Sequence, residues 1–290
     1  MGEKLSYLAN VSATREVLEA HGLATKKALG QHFLVNDGVV QRICQLAELS
    51  PEDRVIEIGP GIGTLTVALL QRAGQVVSIE RDSDLPAVLA QTCAPWNESF
   101  SLINRDALDV NPADLPFAPH KLVSNLPYAV AATLVLDYFE RFETLESATV
   151  MVQSEVADRM CAQPATKSYG AFTVKLALYA RPVGKFNVAP GNFFPPPRVN
   201  STVLRLDRMD SGLDPACRRA TATMADAAFA NRRKTIANSC RTFFSDVQDA
   251  PELLHDAFAQ AGIDPRRRGE TLSLDEFKAL GRAALDSGLL

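Results

Sequence analysis

From residue 50 to residue 208 the chain alternates short apolar runs with longer stretches of helical spacing. The runs are Val55–Ile58, Val76–Ile79, Leu102–Ile103, Leu122–Val123, Thr149–Val152, Val174–Leu178 and Thr202–Leu206. Runs this short, each bounded by polar or turn residues, predict strands. Seven strands interleaved with helices predict an α/β fold whose sheet is mostly parallel and covered by helices on both faces.

The flanking segments read differently. Residues 12–24 have helical spacing, and so do residues 37–49, with Val40, Ile43, Leu46 and Ala47 on one face. Between them lies a basic, glycine-bearing stretch from Lys26 to Leu34. Phe193-Phe194-Pro195-Pro196-Pro197 is expected to be an extended loop, because three consecutive prolines offer no ladder donors. Beyond residue 208 the strand pattern ends. Residues 214–230, 232–243, 251–261 and 273–286 predict helices separated by Asp-Pro and Ala-Pro breaks. The expected division is therefore a large domain over residues 1–208 and a small helical domain over 209–290.

Composition narrows the class. Of 290 residues, 47% are hydrophobic and 22% charged, as in an ordinary folded chain. No apolar run is long enough to span a bilayer, and the segment MGEKLSYLAN has no apolar core of a secretory signal. A cytoplasmic protein without a membrane partner is expected. Gly2 and Ser6 fit a loose myristoylation pattern, one short enough to arise by chance. The five cysteines are scattered, without a C-x-x-C pair, and the four histidines are scattered too, so neither a disulfide framework nor a metal site is expected.

Charge adds a partner. The net charge is −4, yet residues 181–290 carry 16 Lys/Arg against 13 Asp/Glu. Tight basic groups stand at Arg218-Arg219, Arg232-Arg233-Lys234 and Arg266-Arg267-Arg268. Such groups serve as phosphate contacts or as solvated faces, and charge alone does not choose between them.

The chemistry concentrates at the ends of the predicted strands. Val55-Ile56-Glu57-Ile58 runs into Gly59-Pro60-Gly61-Ile62-Gly63, a turn whose glycines let backbone approach a ligand. The spacing is G-x-G-x-G and not the G-x-G-x-x-G of a dinucleotide site. Glu80 ends the next strand, where a carboxylate can accept from both hydroxyls of a ribose. Asp106 ends the third and could accept from an adenine amino group or cap a helix. Asn125-Leu126-Pro127-Tyr128 follows the fourth. Methylating an adenine amino group requires its delocalised lone pair to be aligned with the methyl donor. The Asn125 side-chain oxygen and the Leu126 carbonyl could accept the two N–H groups, Pro127 stiffen the turn, and Tyr128 stack on an extruded base.

These residues together resemble the small-subunit (16S) rRNA adenine N6,N6-dimethyltransferases, the family tied to kasugamycin sensitivity. The likeness spans roughly residues 20 to 282. Lys26-Lys27 through Gly30-Gln31-His32-Phe33-Leu34 resembles the family's K-K-x-x-G-Q-x-F-L lid motif, and Ile56 through Thr66 its first methyltransferase motif. Gln153-Ser154-Glu155-Val156-Ala157-Asp158-Arg159, Ser168-Tyr169-Gly170 and Phe193 through Ser201 resemble its Q-K-E-V-A-x-R, S-Y-G and F-x-P-P-P-K-V-x-S motifs. Phe229 through Thr235 and Leu272 through Phe277 match its helical-domain signatures. Ser154 stands where the family usually has Lys, Ala129-Val130-Ala131 where polar residues are usual, and Arg198 where Lys is usual.

The resemblance implies a Rossmann-like class I methyltransferase with a helical RNA-contacting domain. S-adenosylmethionine would be the methyl donor, held by His32, Leu34, Gly59, Gly61, Glu80, Asp106 and Asn125, with no metal. Asn125, Tyr128 and Phe193 would hold the target adenine, and Arg198, Arg232, Arg233 and Lys234 would contact RNA. The implied reaction is dimethylation of two adjacent adenines in a hairpin near the 3′ end of small-subunit rRNA, by a monomer acting on an immature subunit. Two rivals share the fold: a large-subunit adenine methyltransferase conferring antibiotic resistance, and a non-catalytic assembly or transcription factor.

Overall fold

The computed structural model describes residues 4–24 and 31–290. Lys26, Lys27 and Gly30 of the lid motif, and Gly2, lie outside the described residues. The chain forms two compact units, one of Met1–Ala157 with Pro182–Arg208, the other of Asp158–Arg181 with Met209–Leu290.

The first unit opens with α1 (Val11–Ala20), β1 (Phe33–Leu34) and α2 (Asp37–Leu46). Asparagine starts both helices: the Asn10 side chain accepts from the Ala13 N–H and Asn36 from Gly38, meeting donors a first turn leaves orphaned. Alternation follows: β2 (Arg54–Ile58), α3 (Thr64–Leu70), β3 (Gln75–Glu80), α4 (Pro86–Thr92), β4 (Phe100–Asn104), β5 (Lys121–Asn125), α5 (Ala131–Arg141), β6 (Ser147–Gln153) and α6 (Ser154–Met160). After α7 (Ala171–Ala177) come β7 (Ala180–Val188), β8 (Phe193–Phe194) and β9 (Ser201–Arg208).

Seven strands form one sheet in the order β4-β3-β2-β5-β6-β9-β7. The pairs from β4 to β6 are parallel, and β9 runs antiparallel to β6. The mostly parallel sheet expected from the alternation is therefore present. Strand order reverses between β2 and β5, so the carboxyl ends of β2, β3, β4 and β5 open on one crevice at the switch point, where such sheets bind ligands. Val55, Ile56, Val76, Val77, Leu122, Val123 and Val150 are fully buried, as strands covered on both faces require.

Three local readings differ. Val174–Leu178, expected as a strand, lies mostly in α7, and the strand instead follows as β7. A short apolar run has no period of its own, so its neighbours decide its state. Here Gly170 begins the helix and Val174 packs among helices. Pro182 and Gly184 masked β7, which tolerates them as the edge strand. Phe193-Phe194, expected as loop, forms a two-residue antiparallel ladder with Phe33-Leu34, placing Phe193 opposite Leu34.

The second unit holds α8 (Pro215–Phe229), α9 (Ile236–Phe243), α10 (Ala250–Gln260) and α11 (Leu274–Asp286). Asp214 caps α8 ahead of a proline at its first position, and Ser273 with Glu276 forms a reciprocal capping box on α11. Residues 158–181, expected with the large domain, cluster here instead. Tyr169 and Val174 belong to the helical core, and the Tyr169 hydroxyl donates to the Leu272 carbonyl at 2.9 Å.

Candidate active site

The glycine-rich turn leaves β2 with Gly59, Gly61 and Gly63 all at positive φ, a region closed to most side chains. A Cβ on Gly61 would also lie 3.1 Å from the Phe33 ring. This turn floors a cavity of about 530 Å³ at the crevice. Its wall includes His32, Leu34, Gly59, Gly61, Glu80, Asp106, Asn125 and Tyr128, contributed by five separate segments. The structure thus brings together every residue that the sequence suggests for the donor.

Glu80 ends β3 and is almost fully buried. Its carboxylate accepts from the Asp82 N–H at 2.8 Å and the Gly61 N–H at 3.3 Å. Burial raises its pKa above the ordinary value, and those two backbone donors pull it back. Of the two uses open to Asp106 the structure shows the cap: one oxygen accepts from the Leu108 N–H at 3.1 Å, and the other meets Arg81 Nη1 at 3.1 Å.

Asn125 ends β5. Its Nδ2 donates to the His32 carbonyl at 3.3 Å, which leaves Oδ1 as an acceptor with no partner among the described residues. The Leu126 carbonyl is likewise unpartnered there. His32 donates from Nδ1 to the Pro195 carbonyl at 2.7 Å, and its ring lies 6.0 Å from that of Tyr128, tilted by 26°. The Tyr128 hydroxyl is 2.6 Å from Ser201 Oγ. Burial raises the Tyr128 pKa, and that hydrogen bond opposes the rise.

Phe193 does not join this group. It is 3% exposed, packed in the main apolar core, and absent from the cavity wall. The motif implies a place against the base; in this arrangement the residue stands beside β1, with Leu34 opposite it. Arg198 is exposed and without a partner among the described residues. In the second unit Arg233 and Lys234 are exposed, with side chains equally free. Arg232 is engaged: Nε donates to Glu270 at 3.0 Å and Nη2 to the Thr166 carbonyl at 3.2 Å.

The cavity adds residues that the sequence reading did not single out as ligands. Glu57 is fully buried, and one of its oxygens accepts from both Thr66 and Ser78 hydroxyls, at 2.7 and 2.8 Å. Burial pushes its pKa up to about 7 against those two hydroxyls. An acidic residue inside the apolar run Val55–Ile58 was the available signal. Thr64 and Gln153 also line the wall, and the Thr64 hydroxyl is buried with no partner among the described residues. Among the described residues no cluster of His, Cys, Asp or Glu could hold a metal.

These features fit S-adenosylmethionine. The volume suits a nucleoside with an amino-acid tail. A strand-end carboxylate stands where a ribose is held, and an orphaned hydroxyl and backbone at positive φ face the same space.

The profile of the ribosomal RNA adenine dimethylase family matches residues 22–278. The chain belongs to that family. It is an S-adenosylmethionine-dependent rRNA adenine dimethyltransferase. It is 40% identical over 279 residues to a ribosomal RNA small subunit methyltransferase A of Clostridium botulinum, covering 94% of this chain and 98% of the relative. The counterpart in Acidothermus cellulolyticus is 39% identical over 273 residues, covering 93% and 92%. Among solved structures, a dimethyladenosine transferase from Plasmodium falciparum has the same fold, with a TM-score of 0.75 at 23% identity over 89% of this chain and 98% of that one. The 23S rRNA methyltransferase ErmE follows with a TM-score of 0.64 at 27% identity, covering 87% and 98%.

Proposed function

We propose that this adenine dimethylase acts on two adjacent adenines in a hairpin near the 3′ end of small-subunit rRNA. It works in the cytoplasm as a monomer on an immature subunit, and it methylates each N6 twice. The observation that carries the reading is that Asn125 Oδ1 and the Leu126 carbonyl have no partner among the described residues, on a cavity wall shared with Tyr128. The substrate class follows the small-subunit relatives, which match nearly the whole chain at about 40% identity.

His32, Leu34, Gly59, Gly61, Glu80 and Asp106 hold the donor, with Glu80 accepting from the ribose hydroxyls and Asp106 from the adenine amino group. S-adenosylmethionine supplies a methyl group on a positively charged sulfur, which departs as a neutral thioether. Asn125 Oδ1 and the Leu126 carbonyl accept the N–H bonds of the target amino group, two before the first transfer and one before the second, and turn its lone pair toward that methyl. The new N–C bond forms as the S–C bond breaks, and the extra proton on N6 leaves to water. An amide is not a base at neutral pH, so Asn125 orients and does not abstract. Tyr128 stacks on the base, held by its hydrogen bond to Ser201.

Arg198, Arg233 and Lys234 contact phosphates, and Arg232 keeps the loop at Thr166 in place. Mass spectrometry of small-subunit rRNA from a strain lacking the chain tests the assignment. Loss of adjacent dimethyladenosines, restored by the intact gene, is expected. Intact small-subunit modification together with a missing large-subunit one would favour the antibiotic-resistance type of activity instead.

A further inference from the structure

The acceptors at Asn125 and Leu126 read an exocyclic amino group, but cytosine carries one too. Beside that group adenine N1 and cytosine N3 are both acceptors, so what sets adenine apart is N7 on the other flank, which also only accepts hydrogen bonds. The needed partner is therefore a donor, on the Tyr128 side of the cavity, with no commitment elsewhere.

Gln153 meets each condition. It is the last residue of β6, next to the strand that ends in Asn125. It lines the cavity, and its side chain makes no hydrogen bond among the described residues. Across the ladder its Cα faces Ser201, the residue whose hydroxyl holds Tyr128 at 2.6 Å. The proposed stacking ring and this free amide are thus tied to one strand pair. The other polar groups of the wall are committed or serve the donor. Arg81 and Arg105 pair with Asp106 and Asp114, and Gln31 donates to Asp82 at 2.8 Å.

We infer that Gln153 is the specificity-determining residue for the target base, donating a side-chain N–H to N7 of the extruded adenine. This rests on the proposed adenine site and adds the reading of its edge. The hydrogen bond forms only when the base is in place, so it favours adenine over cytosine without affecting the donor.

The test pairs an amino-acid change with a change of one substrate atom. Small subunits are reconstituted with rRNA carrying adenosine, 1-deazaadenosine or 7-deazaadenosine at a target position, each deaza form replacing one ring-nitrogen acceptor with C–H. Single-turnover methyl transfer is then measured for wild type and Gln153→Ala. Wild type should be slowed about tenfold by the 7-deaza form, the scale of one hydrogen bond with its partner left unsatisfied, and a response to the 1-deaza form alone would overturn the assignment. Gln153→Ala should be slowed by a similar factor on adenosine and should no longer respond to the 7-deaza form. Its affinity for S-adenosylmethionine and its melting temperature should match wild type. Equal sensitivity of both proteins to both deaza forms would overturn the assignment, as would a variant whose only defect is weaker donor binding. Asn125→Ala, run alongside, reports on the adenine site itself. Normal rates there would remove the underlying reading, whereas slow transfer by Asn125→Ala with unchanged transfer by Gln153→Ala would remove only this inference.

Discussion

At the scale of single residues, Glu57 and Glu80 are buried carboxylates whose pKa values burial raises. Glu80 is the proposed ribose acceptor, and each hydrogen bond to a charged acceptor is worth about 1.5–3 kcal/mol. Glu80→Ala should therefore raise the dissociation constant for S-adenosylmethionine by one to several powers of ten while the fold survives. Calorimetric titration measures this, and an unchanged constant would mean the ribose is held elsewhere. Glu57 predicts a pH dependence. Its folded pKa of about 7 exceeds its ordinary 4.5, so between those values the native state binds more protons than the unfolded one. Stability then falls as pH rises through that window, and the loss is complete above it. Glu57→Gln removes the effect. Comparing denaturant unfolding of the two proteins at about pH 5 and pH 8 should show a shift on the order of 3 kcal/mol in favour of the variant. A pH-independent difference would show that Glu57 is not perturbed. Glu80 and Asp106 were legible as residues of the crevice because they stand at or just past the carboxyl ends of adjacent parallel strands. Glu57 was not, since its burial depends on the Thr66 and Ser78 hydroxyls that reach it from other elements.

Elements were legible wherever period and punctuation agreed. The β2 and β3 strands, and helices α8 and α11 with their Asp214 and Ser273 caps, lie within a residue or two of their expected bounds. Where a short run lacked a period the outcome depended on packing that no local pattern carries. Val174 went to a helix because Tyr169 and the helical core surround it, and Pro182 hid an edge strand. The β1–β8 ladder is a pairing across about 160 residues of chain, and it sets Phe193 opposite Leu34, where it packs in the core. This gives Phe193→Ala a definite signature. Truncating a buried phenylalanine costs about 3–5 kcal/mol, so the melting temperature should drop substantially. Among molecules that remain folded, single-turnover transfer at saturating donor and RNA should fall far less than with Tyr128→Ala. Normal stability with abolished transfer would restore the stacking role to Phe193.

For the whole molecule, the question is how a chain with net charge −4 binds a polyanion. Charge counts by residue type could not separate cations that are free from cations already neutralised. In the structure Arg232, Arg266 and Arg267 pair with Glu270, Asp264 and Glu276, whereas Arg233 and Lys234 are exposed and unpaired among the described residues. Replacing Arg233 and Lys234 with alanine should weaken binding to small-subunit rRNA. It should also flatten the log–log salt dependence by about 0.7–0.9 units per lost phosphate contact. Arg232→Ala should leave that slope near its wild-type value and instead lower stability. A slope unchanged in the double variant would place the phosphate contacts elsewhere.

The central claim is that Asn125 orients the adenine amino group for methyl transfer, and one measurement bears on it most directly. Single-turnover transfer of labelled methyl groups to immature small subunits, at saturating donor, isolates the chemical step from binding. Removing one preorganised polar contact typically costs about two to three orders of magnitude in rate. Asn125→Ala should lose that much, with RNA affinity nearly unchanged because phosphate contacts carry it. A rate within a few-fold of wild type would contradict the mechanism, even with the family membership intact.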